Sequence, residues 1–256
     1  MTRAEFLLQP HTLSQLLSHP GEVFISTILG KQCSINIIIP SHLKHLEAFY
    51  HPGILSNIDI AQQESGIPYE HLHFGLKIHF NQPMELQLHD SEMDFAPIIK
   101  QLIKQFGVVI IKNAYLHSEV RNLGHRNKFP HLKFHYDRTE LQSTVYSLYS
   151  RNPFDEEQKK PRIASTLFAP NLVAYLQSLK EKKVNRISDN GMRSNYDLFQ
   201  DEDMSEVISN IIVEHRWDEP EGIGELSMID NRTVLHASYH RDGFHPGYRI
   251  GVRYCS

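Results

Sequence analysis

The chain has 256 residues, 40% of them apolar, with a formal net charge of -4 and a pI near 6.5. That length suits a single domain spanning 1–256, and that charge gives no whole-molecule field to draw the chain to nucleic acid or to an anionic membrane. Two cysteines at opposite ends, Cys33 and Cys255, imply no disulfide framework and lead us to expect a reducing, cytoplasmic setting. The first residues, Met1 to Glu5, carry none of the marks of a secretory leader, and the longest apolar runs are strand-sized, so no membrane association is expected.

Residues 1 to 90 mix short apolar runs with breaks at His19-Pro20-Gly21, Ile39-Pro40 and His51-Pro52-Gly53. This pattern predicts short strands and turns with one early helix, an N-terminal α/β elaboration. From Asp94 to Phe106, the residues Phe95, Ile98, Ile99, Leu102, Ile103 and Phe106 recur at helical spacing, and Gly107 stands where a C-cap belongs. Val108 to Ile111 reads as a buried strand that leaves at Asn113-Ala114. A second helix is expected near Pro170, with Leu172, Val173, Leu176 and Leu179 inward, within an insert over 170–215. Its basic run Lys180-Glu181-Lys182-Lys183 suits a solvated helix end. Asp201 to His215 supports either a helix through Met204, Val207, Ile208, Ile211 and Ile212 or a strand over Ile211-Ile212-Val213. Towards the C-terminus, Glu225 to Asp230, Thr233 to Ala237 and Tyr248 to Tyr254 read as strands, separated by turn residues at Asn231-Arg232, Asp242-Gly243 and Pro246-Gly247. Strands on both sides of a helical insert predict a mainly β fold of the jelly-roll, or double-stranded β-helix, kind, with its core over 95–256.

Three features carry chemistry only when taken together. His135-Tyr136-Asp137 puts an imidazole and a carboxylate on one face of a strand. Alone it reads equally as the solvent face of that strand, for the chain has 17 histidines and chance pairs such as His71-Leu72-His73 arise freely. His236 ends a strand that follows a tight polar turn; a lone strand histidine is usually no ligand. In Tyr248 to Tyr254 the alternation is strict, with Arg249, Gly251 and Arg253 on one face. That face is either half-solvated or lines a cavity where guanidiniums meet carboxylates in bidentate fashion. Two imidazoles and one carboxylate can hold a six-coordinate metal and leave three adjacent positions open.

The ordered set resembles the iron(II)/2-oxoglutarate-dependent dioxygenases of the taurine dioxygenase and clavaminate synthase group. The shared features run from about residue 95 to the end: His135-Tyr136-Asp137, Thr166-Leu167-Phe168, Gly224-Glu225-Leu226, Asp230-Asn231-Arg232, Leu235-His236, and Arg249 to Arg253, preceded by Phe106 to Ile111 as a first core strand. In that group the Thr-Leu-aromatic segment opens a helix. The resemblance implies iron(II) held by His135, Asp137 and His236. It implies 2-oxoglutarate anchored by Arg249 and the hydroxyl of Thr166, with Arg253 touching substrate or co-substrate. It also implies an oxidoreductase that uses molecular oxygen on a small molecule, and it is the only ground for expecting a homodimer.

The chain departs from the pattern in two places. Ile163-Ala164-Ser165 replaces the Gly-Gly that precedes the threonine, which makes Ser165 a rival to Thr166. Arg138-Thr139-Glu140 follows the metal carboxylate, and Arg138, with His131, suggests a small, polar or anionic substrate unless both face solvent. Two other functions stay open. A cupin-like metalloenzyme without 2-oxoglutarate would not need Arg249, and a non-catalytic ligand-binding barrel would hold no metal.

Overall fold

The computed structural model describes residues 15–40, 75–86, 102–103, 106–116, 124–126, 132–135, 146–151, 164–170, 211–219, 223–231, 233–240 and 250–255. For 116, 124–126, 132–135, 164, 238–240 and 250–255 it describes the backbone alone. The described elements are almost all strands: β1 (Phe24–Ile28), β2 (Lys31–Ile37), β3 (Leu76–Leu86), β4 (Val108–Leu116), β5 (Gly124–Arg126), β6 (Leu132–His135), β7 (Tyr146–Arg151), β8 (Ala164–Pro170), β9 (Val213–Arg216), β10 (Glu225–Asp230), β11 (Val234–His240) and β12 (Ile250–Cys255). Short helical stretches occur at 15–18 and at Leu102, Ile103 and Phe106. Among the described residues no helix is long and apolar enough to cross a membrane.

The strands form two sheets. One is eight-stranded, in the order β1-β2-β3-β4-β10-β7-β12-β5, and the other four-stranded, in the order β6-β11-β8-β9. In each sheet β4, β10, β7 and β12, or β6, β11, β8 and β9, interleave early and late segments of the chain. Two sheets built from alternating strands in this way make a jelly roll. Strands β1 to β3 extend the larger sheet on the β4 side, through a parallel β3–β4 pairing.

Alternation sorts each strand of the larger sheet into two faces. On β10, Leu226 and Met228 join Val109, Ile111 and Leu148 in the outer cluster, which Leu16, Leu102, Ile103 and Phe106 also enter. The opposite face meets the smaller sheet through Val108, Ile110, Tyr149 and Ile229, packed with Phe168, Val213, Trp217 and Val234.

Several local expectations change. β4 does not leave at Asn113-Ala114 but runs on to Leu116. Asn113 takes φ 57, a left-handed conformation that asparagine tolerates, and its Nδ2 donates to the carbonyl of Phe80 at 2.9 Å. The β3–β4 register shifts there, between His79 and Met84, where Pro83 would interrupt a regular ladder. Thr166-Leu167-Phe168 opens no helix: it lies within β8, which runs to Pro170. Both faces of β8 are buried over 165–170, so the segment carries no amphipathic signal of either period. Val213 is strand, which settles the end of the ambiguous Asp201–His215 segment; 201–210 and the expected helix beyond Pro170 lie outside the described residues. Of the expected helix at Asp94 to Phe106, Leu102, Ile103 and Phe106 are helical, and Gly107 follows with φ 71, its N–H donating to the carbonyl of Ile103.

Candidate functional site

β6 pairs with β11 so that His135 stands directly opposite His236. Directly opposed positions of an antiparallel pair lie on the same face, with Cβ positions about 5 Å apart. Two histidines a hundred residues apart in sequence are thereby brought to one place. Position 137 lies two residues past the described end of β6, and Asp137, Arg138, His131 and Arg249 are all outside the described residues.

The His236 side chain points between the sheets. It is 4% exposed, and its Nε2 lies 3.1 Å from Tyr149 Oη on the facing sheet, with ring centroids 5.5 Å apart. Either partner can donate, according to the imidazole tautomer; in the tautomer whose Nε2 carries no proton, that nitrogen's lone pair is what a metal takes. Ser227 is registered opposite Tyr149, and Ser147 lies two residues from it, so both share its inward face. Their hydroxyls are buried and meet no partner among the described residues. Around His236 the gap between the sheets is therefore polar and incompletely satisfied, a setting that suits a bound polar group better than a dry core.

Thr166 lies on the same face. β8 and β11 pair Phe168 with His236 and Thr166 with Ser238, so Thr166 is one two-residue step, about 7 Å, along the strand from the histidine row. Trp217 Nε1 donates to Thr166 Oγ1 at 2.9 Å. Ser165, its rival, belongs to the other face and donates to Glu214 Oε1 at 2.7 Å. In the register of β12, Val252 is opposite Tyr149 and Arg253 is opposite Leu148.

Farther along the same inter-sheet space is a buried charge cluster that the sequence did not announce. Glu225, fully buried, is approached by Lys112 Nζ at 2.5 Å, by Arg151 Nη2 and by His215 Nε2 at 3.3 Å. Lys112 also donates to Asp218 Oδ1 at 3.0 Å and to the carbonyl of Arg216 at 2.6 Å, and Arg151 to the carbonyl of Glu219. Burial alone would raise the Glu225 pKa. The His215 hydrogen bond and the Lys112 and Arg151 charges outweigh it and hold the pKa at about 2. Burial lowers the His215 pKa to about 4 against the pull of Glu225. Glu225 is thus ionised and His215 neutral, which places the imidazole proton on Nε2, facing the carboxylate. Asp218, Glu219 and Glu225 bring carboxylate oxygens within 4.8 Å of one another, as a metal site would. Lys112 Nζ lies 3.0, 3.8 and 2.5 Å from them, so an ammonium already supplies the positive charge.

Gly224 explains how β10 begins at Glu225. A Cβ there would collide with the carbonyl of Ala114 and the Cβ of Tyr115, and the Gly224 carbonyl accepts from the N–H of Ala114 at 2.9 Å. Gly224-Glu225 was visible as a motif, but its partners lie on β4, β7 and β9. The lone tryptophan, Trp217, was the other available signal.

No protein-family model matches the chain, and no curated protein matches it. Solved structures similar to it include a taurine dioxygenase from Burkholderia xenovorans, 13% identical over 71% of this chain and 86% of that one, with a TM-score of 0.41. Another is AAD-2 in complex with Mn(II) and N-oxalylglycine, 12% identical over 74% of this chain and 96% of that one, TM-score 0.44. A third is the PvcB protein from Pseudomonas aeruginosa, 10% identical over 71% and 86%, TM-score 0.45.

Proposed function

We propose that this jelly roll is a non-haem iron(II), 2-oxoglutarate-dependent oxygenase that hydroxylates a small polar or anionic metabolite, an oxidoreductase by class. The register that sets His135 opposite His236 carries the reading. Asp137, two residues after His135, would complete a facial set of ligands. Bound there, iron(II) supplies the activation of oxygen, coupled to conversion of 2-oxoglutarate into succinate and carbon dioxide.

The chain's own residues supply geometry. His236 offers Nε2 into the space between the sheets, 3.1 Å from Tyr149 Oη. Thr166, on the same face, offers a hydroxyl to the distal carboxylate of 2-oxoglutarate. A cation must meet that carboxylate as well. Lys112 and Arg151, inward on the larger sheet, are paired with Glu225, and the resemblance gives the role to Arg249. Arg138 and His131 are the proposed substrate contacts.

A second reading, a metalloenzyme without 2-oxoglutarate, draws on one observation: β12 registers Val252, not Arg253, opposite Tyr149. Aerobic incubation with iron(II), 2-oxoglutarate and a panel of small hydroxylatable acids separates the two. The dioxygenase reading expects succinate release that falls at least tenfold in Arg249→Ala. Oxygen consumption that does not depend on 2-oxoglutarate favours the second reading.

A further inference from the structure

We infer that Trp217 is a positioning residue for the co-substrate: its indole N–H fixes the Thr166 hydroxyl so that the hydroxyl's one hydrogen is given to the distal carboxylate of 2-oxoglutarate. The inference rests on the dioxygenase reading and adds a residue to it.

An indole nitrogen can only donate, and a threonine hydroxyl has one hydrogen to give and two lone pairs to receive with. The 2.9 Å contact therefore runs from Trp217 to Thr166, and it fills one lone pair of Oγ1. The hydroxyl hydrogen is turned away from the indole. Thr166 is 4% exposed, and among the described residues its hydroxyl reaches no acceptor. A buried donor without an acceptor is costly, and a carboxylate is the acceptor that binds it most strongly. A hydroxyl that already accepts one hydrogen bond also donates a stronger one.

Trp217 is itself held. It is fully buried, and its ring lies 3.9 Å, centroid to centroid, from that of His215 at 35°. His215 is tied through Nε2 to Glu225, and Glu225 to Lys112 and Arg151. The buried charge cluster thus bears on Thr166 through the orientation of one indole. His236 meets Tyr149, which is not part of this chain of contacts.

Trp217 is the chain's single tryptophan, which gives the test a native probe. In zinc(II)-loaded wild-type protein, the indole N–H resonance should move when 2-oxoglutarate is added and move much less with 2-oxobutyrate, which lacks the distal carboxylate. In iron(II)-loaded protein without oxygen, Trp217→Phe keeps the ring but removes the donor. It should weaken 2-oxoglutarate binding roughly fivefold, leave iron(II) affinity unchanged and leave 2-oxobutyrate binding unchanged. In a Thr166→Ala background, Trp217→Phe should add nothing. Equal weakening of both oxo acids, or none of either, would overturn the inference while leaving the dioxygenase reading intact. If Trp217→Phe does not fold, the wild-type resonance decides: an indole signal that ignores 2-oxoglutarate, or that moves equally with both acids, overturns it. Failure of wild-type protein to bind 2-oxoglutarate at all removes the underlying reading instead.

Discussion

Two buried histidines face the same space between the sheets, and they are held in opposite ways. His215 is bound to an ionised carboxylate that two cations already neutralise, and its ring is stacked on an indole. His236 meets a phenol, stands opposite a second histidine and has nearby hydroxyls that meet no partner among the described residues. Burial is the same for both, 1% and 4% exposed. What a buried histidine can do is decided by its partners: one side of the space is an electrically closed network, and the other has capacity to bind.

The largest expected effect is on the closed side. Glu225→Ala leaves Lys112 and Arg151 buried and unpaired and should lower unfolding free energy by about 3–5 kcal/mol, read by denaturant titration of the metal-free protein. His135→Ala and His236→Ala should do the reverse: metal-free stability changes little, while iron(II) affinity falls more than about 100-fold, read by anaerobic competition with a chelator. If Glu225→Ala and His236→Ala cost metal affinity and stability alike, the two sides are not separate.

Acid should act on the closed side first. The folded pKa of His215 is about 4 against an ordinary 6.5, so between these values the unfolded chain binds the extra proton and stability falls as pH drops from 6.5 to 4. Glu225, at about 2 against 4.5, extends the loss below pH 4.5, because its stabilising ionised form is present above the unfolded value and is lost towards the folded one. His215→Gln, which can still donate to Glu225, should flatten the slope between pH 6.5 and 4 in metal-free protein; an unchanged slope would assign it to other groups. The smallest effect belongs to Tyr149→Phe. It removes the hydroxyl 3.1 Å from His236 Nε2, a contact worth about 1 kcal/mol, so iron(II) should bind equally or several-fold more tightly. Weaker binding would mean that the phenol supports the metal rather than yields to it.

The strands nearest the site were largely legible, because β10 and β11 are separated by a polar turn at Asn231 and carry enough apolar residues at strand spacing. β8 was not, because both of its faces are covered and alternation disappears. Lys112 lies just past the run Val108 to Ile111 that reads as a buried strand, and only the pairing of β4 with β10 shows it as the partner of Glu225, 113 residues away. The candidate ligands His135 and His236 were legible as residues, but their opposition is a property of register, which pairing between distant strands sets and local sequence does not. Trp217 and Tyr149 escaped for the same reason: each contacts the site across the gap between the sheets or from a neighbouring strand.

The central claim is that His135 and His236 share one iron site that accepts 2-oxoglutarate. Anaerobic titration of the purified protein with iron(II) and then 2-oxoglutarate tests it most directly. The account predicts a weak visible charge-transfer band in the wild type that is absent in both His135→Ala and His236→Ala. No band in the wild type, or a band that survives both substitutions, would contradict it.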